Sequence, residues 1–301
     1  MIEAGGRERS SECRLVGDAK YGSVAYLLQC AKTANYARLT AARALRSGRR
    51  HYLTAMATFV LVHGSFHGAW CWERLTPLLT KHGHRVVAPN LPGSGDDSAP
   101  LENASLTSYA TRVAARIDEI AGPVILVGHS MGGIVASQVA QWRSERLAAV
   151  VFVCGLLLRS GETLAAFLEA HAQLDIEDLV LANMKLSADG GVATFPQALA
   201  GEVFYNCCTA ADAEWAANQL RPQATRVYAD TLDLSPQRFG GLRKFYIESL
   251  RDRAVSPVYQ RRMVERTPCE AVFTLDTDHS PFLSQPSQLR DLLLMLAKRV
   301  G

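Results

Sequence analysis

The chain has 301 residues, a formal net charge of +3, 48% hydrophobic residues and 20% charged ones. That apolar share supplies one large core or two ordinary ones, and it excludes a collagen, a low-complexity tail protein and a disordered chain. The longest apolar run, Leu147 to Leu158, is twelve residues long and contains Gly155, too short to span a bilayer as a helix.

Residues 1–55 carry ten Lys/Arg and four Asp/Glu, a balance of +6, while the rest of the chain balances at −3. The basic excess therefore belongs to the leader. The main body has no basic stripe interleaved with aromatics, so nucleic-acid binding is not expected of it. A leader this rich in Arg and poor in acids reads either as a targeting segment or as an extension outside the functional protein, with Met56 well placed as a start. An ordered extra element is the third reading. Residues 1–55 are expected to be poorly packed. The seven cysteines make no CxxC pair and no metal-ligand spacing, which points to reduced thiols and a cytoplasmic chain.

From Thr58 onward strands and helices alternate. Thr58-Phe59-Val60-Leu61-Val62 is a continuous apolar run, as a strand buried on both faces requires. Helical spacing follows from Trp72 to His82, then a second strand, Arg85 to Ala88, ended by Pro89. Ser105 can cap a helix in which Leu106, Tyr109, Val113, Ile117 and Ile120 share one face. Val124 to Val127 is the third strand, Ile134 to Trp142 a helix, and Ala148 to Cys154 the fourth strand. From about Gly155 to Thr225 the rhythm breaks into mostly helical segments with no strong strand run. It resumes with Lys244 to Ile247, Pro257 to Arg266, Ala271 to Leu275 and Gln288 to Val300. This predicts an α/β class protein, a doubly wound, mostly parallel sheet with a helical insertion.

Ligands of such sheets bind beyond the carboxyl ends of the strands. After the third strand stands Gly128-His129-Ser130-Met131-Gly132, a G-x-S-x-G between strand and helix. The turn is tight enough that a Cβ at Gly128 or Gly132 is expected to strike neighbouring backbone. It holds the Ser130 hydroxyl at a helix N-terminus, which makes Ser130 the candidate nucleophile. A serine nucleophile needs a base. Of the two histidines after Ser130, His171 falls in the insertion, and His279 follows the last strand in Asp276-Thr277-Asp278-His279-Ser280-Pro281, where the base belongs. Asp252, in the loop after Lys244–Ile247, is the candidate acid. Glu248 is the alternative, and Asp276 and Asp278 are expected to shape the His279 loop. The oxyanion donors are expected to be the amides of Met131 and Ser65, with Gly64 and Phe66 contacting substrate. His63 is expected to buttress this loop without taking a proton, and His67, Trp70 and Trp72 to pack it against the sheet.

Taken together, Phe59-Val60-Leu61-Val62-His63-Gly64, His67-Gly68-Ala69-Trp70-Cys71-Trp72, Gly128-His129-Ser130-Met131-Gly132-Gly133 and the late Asp252 and His279 resemble the α/β-hydrolase superfamily. Within it the chain is similar to the plant methylesterase and hydroxynitrile lyase group and its bacterial carboxylesterase relatives, which include pyrethroid hydrolases. The resemblance covers roughly residues 58–300. It implies an α/β-hydrolase fold over 56–301 with a helical cap at about 155–225, and a serine carboxylesterase working through an acyl-enzyme, without metal or organic cofactor. Cyanohydrin-cleaving members carry threonine at the position of Gly64 and lysine at that of Ser280, so the resemblance favours ester hydrolysis over lyase chemistry. A non-catalytic small-molecule receptor is the reading from outside enzymology. Where similar bacterial sequences often place an aspartate after Tyr205-Asn206, this chain has Cys207-Cys208. The apolar insertion predicts a pocket for an uncharged hydrophobic ester.

Overall fold

Four of the five residues of β1 (Thr58–Val62) are buried, as its unbroken apolar sequence requires. The computed structural model describes residues 56–174 and 176–301; the basic leader, and the expectation about its packing, lie outside the described residues. Downstream follow α1 (Thr76–Thr80), β2 (Arg85–Val87), α2 (Leu106–Asp118), β3 (Val124–His129), α3 (Gly132–Trp142) and β4 (Leu147–Val153). Ser105 starts α2 through a capping box: its hydroxyl accepts from the Ser108 amide, and the Ser108 hydroxyl accepts from the Ser105 amide.

The main sheet has the order β2-β1-β3-β4-β8-β9, where β8 is Lys244–Ser249 and β9 is Ala271–Leu275, and all of its pairings are parallel. The chain leaves β1 toward β2 on one side and returns to β3 on the other. This reversal opens a crevice between the ends of β1 and β3, where an open parallel sheet binds its ligand. Alternate strand residues feed two cores. Val60, Val62 and Leu126 pack with α2, α3 and α9 (Pro257–Arg266) on one face. Phe59, Leu61, Ile125 and Val127 pack with α1 and α11 (Pro286–Val300) on the other. Residues 132–140 of α3 are all buried, so this helix is enclosed on every side.

Between β4 and β8 lie α4 (Leu164–Glu169), α5 (Leu179–Asn183), β5 (Lys185–Leu186), β6 (Val192–Thr194), α6 (Gln197–Val203), α7 (Ala210–Gln219), β7 (Gln223–Ala224) and α8 (Arg226–Ala229). This mostly helical segment also holds three short strands, since β5, β6 and β7 form a small antiparallel sheet. Strands of two or three residues are shorter than any readable alternation. The helix α5 stops at Asn183, and the chain passes through Met184 into β5. The hairpin turns at Gly190, with φ +71°, and Asp189 Oδ1 accepts from the Gly191 amide at 3.0 Å. A short helix, α10 (Pro281–Ser284), sits between β9 and α11.

Candidate active site

The turn after β3 puts Ser130 at φ +53°, a left-handed conformation that a non-glycine residue holds only where its surroundings impose it. Three backbone hydrogen bonds impose it. The Ser130 amide donates to Val153 O (3.3 Å), and its carbonyl accepts from the amides of Gly133 and Leu156 (2.9 Å each). The flanking glycines are required as the sequence predicts. A Cβ on Gly128 would stand 2.6 Å from Gly132 O, and one on Gly132 would stand 2.5 Å from Val62 O. Met131 caps α3 in the αR region, and amides at a helix start have no intrahelical acceptor.

His279 follows β9, and its Nδ1–H donates to Asp252 Oδ2 at 2.8 Å, with both side chains buried. Asp252 is saturated: Oδ1 accepts from the amides of Ala254 and Val255 (2.8 Å each), and Oδ2 also accepts from Gln260 Nε2 at 3.1 Å. The alternative acid, Glu248, lies at the end of β8 and is ion-paired with Arg261 Nε at 2.6 Å. Asp278 holds the His279 loop, accepting from the amides of Ser280 (3.0 Å) and Cys207 (2.8 Å) and from Ser284 Oγ (2.7 Å). The Cys208 thiol also reaches it, at 3.6 Å. The five cysteines among the described residues are free thiols. With Nδ1 committed to Asp252, Nε2 is the imidazole nitrogen left for the cavity. His129, Cys154 and His279 form a buried cluster that could hold a metal only by giving up this order. His129 Nε2–H donates to His279 O at 2.8 Å, and burial pushes the Cys154 thiol well up and keeps it protonated.

The loop after β1 is braced by two neutral histidines. His63 Nδ1–H donates to Gly64 O (2.9 Å), and its Nε2 accepts from the Leu91 amide (3.1 Å). His67 Nδ1–H donates to Ser65 O (2.7 Å), and its Nε2 accepts from Tyr205 Oη (2.9 Å). Burial lowers His63 to about 4 and His67 to about 3 from the ordinary 6.5. The unfolded chain therefore binds more protons than the folded one below pH 6.5. This contribution is complete above pH 6.5 and is lost as pH falls, by roughly 1.4 kcal/mol per pH unit for each histidine. Melting curves from pH 7.5 to 4.5 are expected to show a falling Tm, with a shallower acid limb for His63→Gln. An equally steep limb in that variant would contradict the account.

Ser65, Phe66, Ser130 and His279 open on one cavity of about 360 Å³, roofed by Leu164, Phe167, Leu168, Val180, Leu181 and Met184 of the insertion. Gly64 packs closely against the turn that carries Ser130. A Cβ there would stand 2.7 Å from Ser130 Cβ and 2.9 Å from His129 Nδ1. The Phe66 amide points to Gln223 Oε1 (3.4 Å), and the Ser65 hydroxyl bonds the Tyr228 hydroxyl of α8. Three contributors escape the sequence reading. Tyr228 comes from the insertion, Gln260 holds Asp252, and His129 holds the His279 carbonyl. A buried glutamine or tyrosine has no sequence signature. His129 was legible only as a filler of the turn motif.

The sequence matches the alpha/beta hydrolase family over residues 59–292. It is 33% identical over 251 residues to putative methylesterase 13, chloroplastic, of Arabidopsis thaliana, covering 80% of this chain and 56% of that one. Against methylesterase 7 of Arabidopsis thaliana it is 32% identical over 250 residues, covering 80% and 96%. The chain thus spans a little over half the length of the first relative and nearly all of the second. The solved structure of polyneuridine aldehyde esterase superposes with a TM-score of 0.73 at 25% identity, covering 80% of this chain and 99% of that one.

Proposed function

Since the chain belongs to the alpha/beta hydrolase family, we propose that it is a serine carboxylesterase acting on uncharged, hydrophobic esters, of which methyl esters and pyrethroid-like esters are the candidate classes. The observation that carries this reading is the convergence of three elements on one apolar cavity. These are a serine on a strained turn at a helix start, an imidazole oriented by a saturated carboxylate, and the loop after β1.

In this reading Ser130 Oγ attacks the ester carbonyl while His279 Nε2 takes its proton. Asp252 fixes the Nδ1–H tautomer and stabilises the imidazolium. The amides of Met131 and Ser65 receive the oxyanion, which such preorganised donors stabilise by several kcal/mol. His279 then protonates the leaving alcohol, water enters by the same base, and the acid departs. The leaving alcohol and the acyl chain meet mostly hydrocarbon walls, which favours uncharged esters.

Two features weigh against cyanohydrin cleavage. A threonine at position 64 would place its Cβ against Ser130, and the buried Ser280 supplies no cation beside His279. The test is p-nitrophenyl ester hydrolysis by purified protein, run beside cyanohydrin cleavage and labelling by a serine-directed organophosphonate. Ester turnover with stoichiometric labelling of Ser130 is expected. Cyanide release without ester turnover would favour the lyase, and folded protein that neither turns over nor labels would favour a receptor.

A further inference from the structure

Most polar groups in the cavity wall are already committed. The Tyr228 hydroxyl bonds Ser65, the Thr225 hydroxyl donates to Gly190 O (2.7 Å), and Arg226, 69% exposed, faces Asp230 at 3.6 Å. Asp178 differs. Among the described residues it is the one carboxylate lining the cavity. Its Oδ1 accepts from the amides of Val180 and Leu181 (3.0 and 2.9 Å), which anchors the side chain at the start of α5. Among the described residues no donor reaches Oδ2. Burial raises the carboxyl above its ordinary range, against the pull of those two amides. Asp178 is half-buried, so this anchored carboxylate leaves one oxygen open to a mostly apolar cavity, where a ligand donor can meet it.

We propose that Asp178 is a substrate-recognition residue whose Oδ2 accepts a hydrogen bond from a donor group, a hydroxyl or a protonated amine, carried by the ester away from its carbonyl. The inference rests on the cavity being the ester site, and it narrows the substrate class from plain hydrocarbon esters to donor-bearing ones. A hydroxyl keeps the substrate within the uncharged class proposed above, whereas an ammonium group would replace that class with a cationic one whose charge Asp178 is placed to meet.

The experiment is a calorimetric titration of the Ser130→Ala protein with three matched esters that differ only in a terminal methyl, hydroxyl or ammonium group. A hydrogen bond to an ionised group is worth a factor of roughly ten to a hundred in affinity. The hydroxyl or the ammonium ester is therefore expected to bind at least about ten-fold tighter than the methyl ester, and whichever does so identifies the donor. Adding Asp178→Asn keeps an oxygen on the two amides but turns an NH₂ toward the ligand. The preference should then vanish, and a matched keto ester should gain. Equal affinities for all three esters in the Ser130→Ala protein would overturn the inference, as would a donor preference that survives Asp178→Asn. Binding is read without turnover. Failure of wild-type protein to hydrolyse any ester would sink the esterase reading and leave this ratio to be judged separately.

Discussion

Replacing Ser130 with alanine is expected to lower kcat/KM on a short p-nitrophenyl ester by about 10⁴- to 10⁶-fold, the usual cost of deleting a serine nucleophile. The fold should survive. The hydrogen bonds that hold the turn are made by the backbone of residue 130: its amide to Val153 O and its carbonyl to the amides of Gly133 and Leu156. Alanine tolerates φ +53° about as poorly as serine does, so the strain is unchanged. A Tm within a few degrees of wild type, together with lost turnover and lost phosphonate labelling, is the expected pair of results. A variant that keeps more than a tenth of the wild-type rate would mean that another residue is the nucleophile, and the proposed chemistry would fall with it.

Sequence legibility in this chain follows length and periodicity. β1, β3 and β4 carry apolar runs, and α2 shows a clean helical face with Ser105 before it. Each of these reads directly because burial on one or both faces leaves a period in the sequence. The turn around Ser130 was legible for a steric reason: Gly128 and Gly132 are needed where a Cβ would strike backbone. What could not be read is what long-range packing decides. β5 and β7 are two residues each, and Tyr228 meets Ser65 across 163 positions. Gln260 is another such case: a polar residue on a surface-forming helix, it is 1% exposed because it binds both Asp252 and the Ser249 amide. Nothing in its neighbours announces that. The need for glycine at position 64 is likewise set by packing at a distance in sequence, since a Cβ there would strike Ser130 and His129.

The second large effect belongs to the acid. Asp252→Asn is expected to lower kcat by on the order of 10³- to 10⁴-fold with little change in KM, through the imidazole tautomer. In the native arrangement Asp252 accepts four hydrogen bonds: two backbone amides at Oδ1, and His279 Nδ1 and Gln260 Nε2 at Oδ2. Asparagine has one acceptor oxygen for these four donors. If that oxygen stays on the amides of Ala254 and Val255, an NH₂ group faces His279 Nδ1. The imidazole must then place its proton on Nε2, where it can no longer accept from Ser130. Turning the amide over restores the His279 bond only by opposing NH₂ to two backbone amides in a buried site, a cost of about 1–3 kcal/mol for each unsatisfied donor. Glu248→Gln serves as the control. Its carboxylate is engaged by Arg261 at 2.6 Å and makes no hydrogen bond to His279, so its kcat is expected to stay within a few-fold of wild type. Steady-state kinetics on both variants decide between them. A severe loss in Glu248→Gln with Asp252→Asn near wild type would assign the acid to Glu248 and require His279 to turn away from the partner it has here.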